Sequence, residues 1–167
     1  MADASNPSAD KSSDLWLPDI AMPDLRATTK WEAISEIMEC FAGHPEVEDM
    51  DAWKAEIIRR EKLSPTILKP NVAMPHARTA AVNKIVWAMA FSKAGIPFQR
   101  AGARVHLVVL VGVPSRMVRQ YLDFLGRLSG WLRAGSAREM PPGASEGLMA
   151  VLRGFNGREN QSGVSAS

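Results

Sequence analysis

The sequence predicts an α/β (α+β) fold, a single layered domain in which a mixed β-sheet is flanked by helices. Three observations carry this expectation. "RVHLVVLVGVP", residues 104–114, is a strand-type run too uniformly apolar to keep a solvent-facing side. "KIVWAMAF", residues 84–91, has the same β-branched and aromatic character. Apolar residues at helical spacing lie both before and after these runs, so helices are available to cover the sheet.

Taken in order, Thr28 or Thr29 caps a first helix whose apolar stripe is Trp31, Ile34, Ile37, Met38 and Phe41, ending near Gly43 and Pro45. Asp49 or Asp51 opens a second, with Met50, Trp53 and Ile57 on one face and Arg60 about one turn beyond Ile57. "SPTILKP" reads as a loop and "NVAMP" as a short strand; "GIPF" then reads as a turn with an edge segment. Pro114 suits a helix start, and Val118, Leu122, Leu125, Leu128 and Leu132 form the expected buried stripe of a long helix. The loop "GSAREMPPGAS" leads to a closing helix with Leu148, Val151, Leu152 and Phe155.

Bulk composition narrows the function. With 167 residues, 46% hydrophobic and 23% charged, the chain has the make-up of one ordinary globular domain. The small polar stretches at either end are expected to be disordered tails at 1–14 and 157–167, leaving 15–156 as the folded domain. No apolar run approaches the ~20 residues of a membrane span, and none resembles a secretory signal. A lone cysteine, Cys40, points to a reducing cytoplasm. The net charge of +2 does not argue for nucleic acid, and the aromatic residues sit in core patterns rather than among the basic ones. Charge is nevertheless uneven: Arg59, Arg60, Lys62, Lys69 and Arg78 stand against Glu61 alone in one segment.

Familiar catalytic signatures are missing. There is no nucleophile elbow, phosphate-binding glycine loop, dinucleotide fingerprint or zinc-protease motif. His44, His106 and Cys40 lack metal-ligand spacing with His76, so neither a metal nor a cofactor is expected. What remains is "NVAMPHART", with His76 behind a fixed-φ proline and close to Arg78.

The longer stretch "IIRREKLSPTILKPNVAMPHART" resembles the signature region of the fructose/mannitol-type enzyme IIA domains of the bacterial phosphotransferase system. Arg60, Glu61 and Lys62 match its Arg-Glu-Lys helix end, Thr66 its loop threonine, and Ala73, Pro75 and His76 its Ala-x-Pro-His segment. "VHLVVLVGVPSRMVRQYLDFLGRLSGWL" resembles the family's strand, proline and long helix, and "SEGLMAVL" its closing helix. The nitrogen-regulatory enzyme IIA proteins are the most similar in organisation, being single domains without fused sugar-transport modules.

The resemblance implies the enzyme IIA fold and a phosphoryl group accepted on His76 from a histidine phosphocarrier protein, with onward signalling to a regulatory target. The chemistry suits the residues. A neutral imidazole is a nucleophile near physiological pH, and the planar fork of Arg60 can hold two oxygens of a transferring phosphoryl group. Thr66 would orient the ring or donate its hydroxyl, while Arg78 and Lys62 would add positive potential. Two departures stand out. Tyr121 occupies the place of the family's second histidine, and the loop between Thr66 and His76 has Ile67, Lys69, Pro70 and Asn71 where the family uses glycines. Tyr121 has two readings, packing alone or a hydroxyl turned towards His76. The alternative function is an enzyme IIA-like interaction module that binds a transporter or sensor kinase with His76 unmodified.

Overall fold

The computed structural model describes residues 17–100, 102, 104–133 and 145–162. Its elements are β1 (Ile20–Met22), α1 (Lys30–Glu39), α2 (Met50–Leu63), β2 (Ile67–Lys69), β3 (Val72–Ala73), β4 (His76–Thr79), β5 (Val86–Ile96), β6 (Val105–Pro114), α3 (Val118–Arg133) and α4 (Glu146–Ser162). The expected N-terminal tail and nearly all of the "GSAREMPPGAS" loop lie outside the described residues.

The strands form one mixed, six-stranded sheet in the order β1-β5-β6-β3-β2, with β4 pairing the far end of β6. β5 and β6 run antiparallel, while β3 and β4 both lie parallel to β6. Side chains alternate across the pleat, which splits the core in two. Val86, Ala88 and Ala90 of β5 and Val108 and Leu110 of β6 meet Ile34, Ile37, Trp53 and Ile57 of α1 and α2. Trp87, Met89 and Phe91 of β5 and Leu107, Val109 and Val111 of β6 meet Phe124, Leu128, Val151 and Phe155 of α3 and α4. The sheet is therefore covered by helices on both faces.

Both early helices begin as their sequences require. Thr29 caps α1 in a full capping box, taking the Glu32 N–H while the Glu32 carboxylate takes the Thr29 N–H. Asp49 caps α2 by accepting the Ala52 N–H at 2.9 Å.

Several expectations need correction. Trp31 does not join the α1 stripe; it is exposed, with the Lys30 ammonium 4.7 Å from its ring centroid, and Ala33 takes the buried place. Part of the expected loop "SPTILKP" is strand β2, held antiparallel to β3. β5 continues through the expected turn to Ile96 by way of an irregularity after Phe91. Gly95 permits this with φ +77°, and a Cβ there would lie 2.8 Å from both Arg104 Cβ and the His106 ring. Pro114 closes β6 instead of opening the helix. Finally, α4 stays helical to Ser162, past the expected domain end at 156, as extending a formed helix is much easier than starting one.

The largest correction concerns the phase of α3. Tyr121, Phe124, Leu128 and Leu132 face the sheet, while Val118 and Leu122 are 41% and 61% exposed. Both stripes fit a helical period, so sequence spacing alone does not choose between them. The turn after β6 chooses: the Met117 N–H bonds the Pro114 carbonyl at 2.9 Å and fixes the orientation in which the helix begins. Two aromatic rings are buried as a result, with Phe124 meeting Trp87 edge to face at 5.0 Å.

Gly112 shows how tightly this packing is set, since a Cβ there would fall 2.7 Å from the Trp53 indole that seats α2 on the sheet. Gly112→Ala is expected to destabilise the protein by about 1–3 kcal/mol through overpacking. Urea denaturation checks this, and an unchanged midpoint would mean that Trp53 gives way freely.

Candidate functional site

His76 is the first residue of β4, placed by its register opposite Val111 of β6. Pro75 has no N–H to give to a ladder, and it separates β3 from β4 while its own carbonyl accepts the Val111 N–H at 3.1 Å. The ring that follows is held by one bond. Nδ1 of His76 lies 2.9 Å from the Met74 carbonyl oxygen. A carbonyl can only accept, so Nδ1 carries the proton and Nε2 keeps its lone pair.

The ring is half-buried and lies on one wall of an open cleft of about 390 Å³, whose other lining residues are Glu56, Arg59, Arg60, Ala77, Arg78, Ser115 and Tyr121. Burial is the main influence on the imidazole, pushing its pKa below the ordinary 6.5. The Met74 bond opposes this, Arg60 adds to it, and Glu61 opposes it. The outcome is a ring biased to the neutral, nucleophilic form.

Tyr121 approaches from α3, its ring centroid 5.8 Å from that of His76. Burial raises its pKa to about 12 against the opposing pull of Arg60 and Arg78. It therefore stays a phenol throughout the physiological range, able to donate a hydrogen bond but not to change charge. The same two guanidiniums supply positive potential to the cleft. Arg60 sits in the last turn of α2, its Nη1 reaching the Ser64 carbonyl at 3.5 Å.

The six residues expected from sequence are distributed unevenly. His76, Arg60, Arg78 and Tyr121 meet in the cleft; Thr66 and Lys62 are not among its lining residues. Thr66 works through its backbone: its N–H reaches both Glu61 carboxylate oxygens at 3.3 Å and its carbonyl accepts the Met74 N–H at 2.8 Å. That second bond steadies the residue whose carbonyl holds His76. The Thr66 hydroxyl is buried without a hydrogen-bond partner among the described residues.

Sequence reasoning did not name Glu56 or Ser115 as members of the site. Glu56 lies one helical turn before Arg60, a visible i,i+4 signal, and its Oε2 accepts both Nε and Nη2 of Arg59, at 3.2 and 2.9 Å. Ser115 had no local signal, since only the alignment of β4 along β6 brings the end of β6 beside Arg78. Glu61 is 2% exposed beneath the cleft, its Oε1 3.6 Å from the Lys30 ammonium. A carboxylate buried this deeply needs such partners to offset the cost of leaving water. Among the described residues no three His, Cys, Asp or Glu side chains gather as a metal site.

Residues 18–140 match the model of the family described as "Phosphoenolpyruvate-dependent sugar phosphotransferase system, EIIA 2". The chain belongs to this enzyme IIA family. It is 28% identical over 117 residues to the fructose-specific EIIABC component of Bacillus subtilis, covering 70% of this chain but 18% of that much larger protein. It is likewise 28% identical over 122 residues to the nitrogen regulatory protein of Bradyrhizobium diazoefficiens, covering 72% of this chain and 79% of that one. Among solved structures, nitrogen regulatory protein IIA-Ntr of Neisseria meningitidis superposes with a TM-score of 0.65 at 25% identity, over 82% of this chain and 96% of that chain. The enzyme IIA fold, the mixed sheet and the phosphotransferase context thus stand together.

The depressed pKa of His76 gives a signed expectation. Its proton is lost more readily in the folded protein than in the unfolded chain, so the folded form should keep a neutral ring to lower pH than the unfolded chain does. By the same linkage the group contributes nothing against stability above 6.5 and destabilises the fold as pH drops below that value. An NMR titration of the ring is expected to show a midpoint below 6.5. A midpoint above it would place the ring in solvent or beside a stronger negative field than Glu61 provides.

Proposed function

We propose that His76 accepts a phosphoryl group on Nε2 from a histidine phosphocarrier protein and that the modified protein signals to a regulatory target. One observation carries the reading: the Met74 carbonyl fixes the proton on Nδ1, which leaves Nε2 as the only ring nitrogen with a free lone pair. In the transfer, that lone pair forms the new N–P bond. The N–P bond of the donor breaks, and its electron pair returns to the donor imidazole. Nδ1–H stays on the Met74 carbonyl, which helps disperse the positive charge that the ring acquires.

The surroundings suit this step. A phosphoryl group in flight spreads negative charge over its equatorial oxygens, and Arg60 and Arg78 flank the cleft that would receive them. Tyr121 offers one hydroxyl in the place where the family has its second histidine. Thr66 and Glu61 act one step back, through Met74 and the end of α2. We place the protein in the cytoplasm, since no helix among the described residues is long and apolar enough to cross a membrane and Cys40 is a free thiol.

Tyr121 also favours a second reading. A phenol pushed to about 12 cannot supply a switchable positive charge, so the fold would suit a module that binds a transporter or sensor kinase with His76 unmodified. Incubation with a phosphorylated phosphocarrier followed by intact-mass measurement separates the two. One added phosphoryl group, absent in His76→Ala, supports the transferase; no addition supports the module.

Arg60→Ala is expected to slow phosphorylation at least tenfold while leaving the fold intact, because a charged partner of the transition state is lost. Equal rates in stopped-flow transfer would remove Arg60 from the site. Tyr121→Phe should slow transfer by the equivalent of about 0.5–1.5 kcal/mol, and Tyr121→His should raise it by restoring a donor that can become cationic. Indistinguishable rates in all three proteins would assign Tyr121 to packing alone.

A further inference from the structure

A carboxylate is a misfit in a cleft that receives a phosphoryl group. Four charged residues line the His76 cleft; Arg59, Arg60 and Arg78 attract such a group, whereas Glu56 repels it. The buried Glu61 beneath is accounted for by the Lys30 ammonium and the Thr66 amide. Glu56 has no comparable duty in the fold. Its one bonded partner among the described residues is Arg59, whose Nε and Nη2 both donate to its Oε2, at 3.2 and 2.9 Å.

The three guanidiniums are not equivalent. Arg60 acts on both the His76 and the Tyr121 ring, and Arg78 acts on Tyr121. Arg59 is not among the groups that shift either ring, although it lines the same cleft. Its charge is met first by Glu56, three residues earlier on the same face of α2. That pair is open to water, with side chains 67% and 40% exposed, so solvent screens it and the tie is weak. A phosphoryl dianion carries twice the charge of a carboxylate and offers the planar fork two oxygens in matching geometry. Between the two acceptors, Arg59 favours the phosphoryl group.

We infer that Arg59 is a further phosphoryl-binding residue, held in reserve by Glu56 in the unmodified protein and released to the group once it forms on Nε2 of His76. This rests on the reading of His76 as a phosphoryl acceptor and adds two residues to that site. The N–P bond is the only covalent bond that changes: Arg59 exchanges one carboxylate oxygen for phosphoryl oxygens, and no further proton moves. Glu56 is then left without its partner beside a new dianion, and like charges repel. The two residues therefore act in opposite directions on the modified state. Arg59 holds the phosphoryl group, while Glu56 favours passing it on.

The test is the equilibrium of phosphoryl exchange with a histidine phosphocarrier protein, read by intact mass once the ratio of modified to unmodified chains is constant. An equilibrium constant depends on how well each protein holds the group and not on how well the two dock. Glu56→Gln should raise the constant about threefold in favour of modified His76, and Arg59→Gln should lower it about threefold. Arg59→Lys should recover only part of the loss, because a point charge replaces the fork. Glu39→Gln, which removes a carboxylate outside the cleft, should leave the constant unchanged. In nitrogen NMR, the Arg59 Nε–H signal, identified by its absence in Arg59→Gln, should move when the wild type is phosphorylated and also when Glu56→Gln removes its partner. Equal constants in all five proteins would reduce the pair to an ordinary solvated contact and overturn the proposal. So would a lower constant in Glu56→Gln, a rise in Glu39→Gln as large as in Glu56→Gln, or an Arg59 signal that ignores phosphorylation. If the carrier never modifies wild-type His76, the phosphoryl reading itself is lost. Inorganic phosphate titrated against the same Nε–H signal then decides the role of Arg59: movement keeps it as an anion-binding residue of the cleft, and its absence overturns that too.

Discussion

The arrangement of this protein depends on a single strand that has no solvent face. β6 is covered by α1 and α2 on one side and by α3 and α4 on the other, so each of its backbone N–H and C=O groups must find a partner within the sheet. β5 supplies one edge. The other edge is longer than any one short strand can cover, and β3 and β4 divide it, both parallel to β6. Pro75 falls in the gap between them. A residue without an N–H is tolerated there, and the first side chain after it is His76. The position of the candidate nucleophile is thus a consequence of how the central strand satisfies its hydrogen bonds.

Electrostatics around the ring then follow from which groups can reach this edge. α2 lies against β4 and delivers Arg59 and Arg60 from its last turns, and β4 itself delivers Arg78 two residues beyond the histidine. Burial is the main influence that disfavours protonation of the imidazole, and the Arg60 guanidinium adds to it. Glu61 works against this from below. It also holds the chain together, since one buried carboxylate links the Lys30 ammonium of α1 to the Thr66 amide, and Thr66 in turn holds Met74. Removing that charge would affect the fold and the site together, as both depend on the same hydrogen bonds.

Elements with a strong local cause were legible in the sequence. Thr29 and Asp49 start their helices because a side-chain oxygen can satisfy amides that no helix satisfies for itself. The two long strands were visible because burial on both faces demands uninterrupted apolar residues. Features with two equally good local solutions were not legible. In α3 the stripes through Leu122 and through Tyr121 have similar spacing, and in α1 Trp31 is apolar enough to suggest a core role that Ala33 actually takes. The expected turn after Phe91 instead continued as strand because Gly95 adopts a conformation that side chains with a Cβ resist.

The sequence by itself determined the layered fold, the helix starts and the central strands, which follow from local propensity, while His76, Arg60, Arg78 and Tyr121 stood out as residues to watch through the resemblance of their motifs to the enzyme IIA family together with the chemistry of their side chains. Tertiary structure alone decided which residues share the cleft. Strand register brought Ser115 to Arg78, the turn after Pro114 aimed Tyr121 inward and Leu122 outward, and the Thr66 backbone rather than its hydroxyl became the link to His76. The physical reason is the same in each case. Register, helix phase and the direction of a backbone group are set by contacts between segments far apart in the chain, and no local preference is strong enough to fix them in advance.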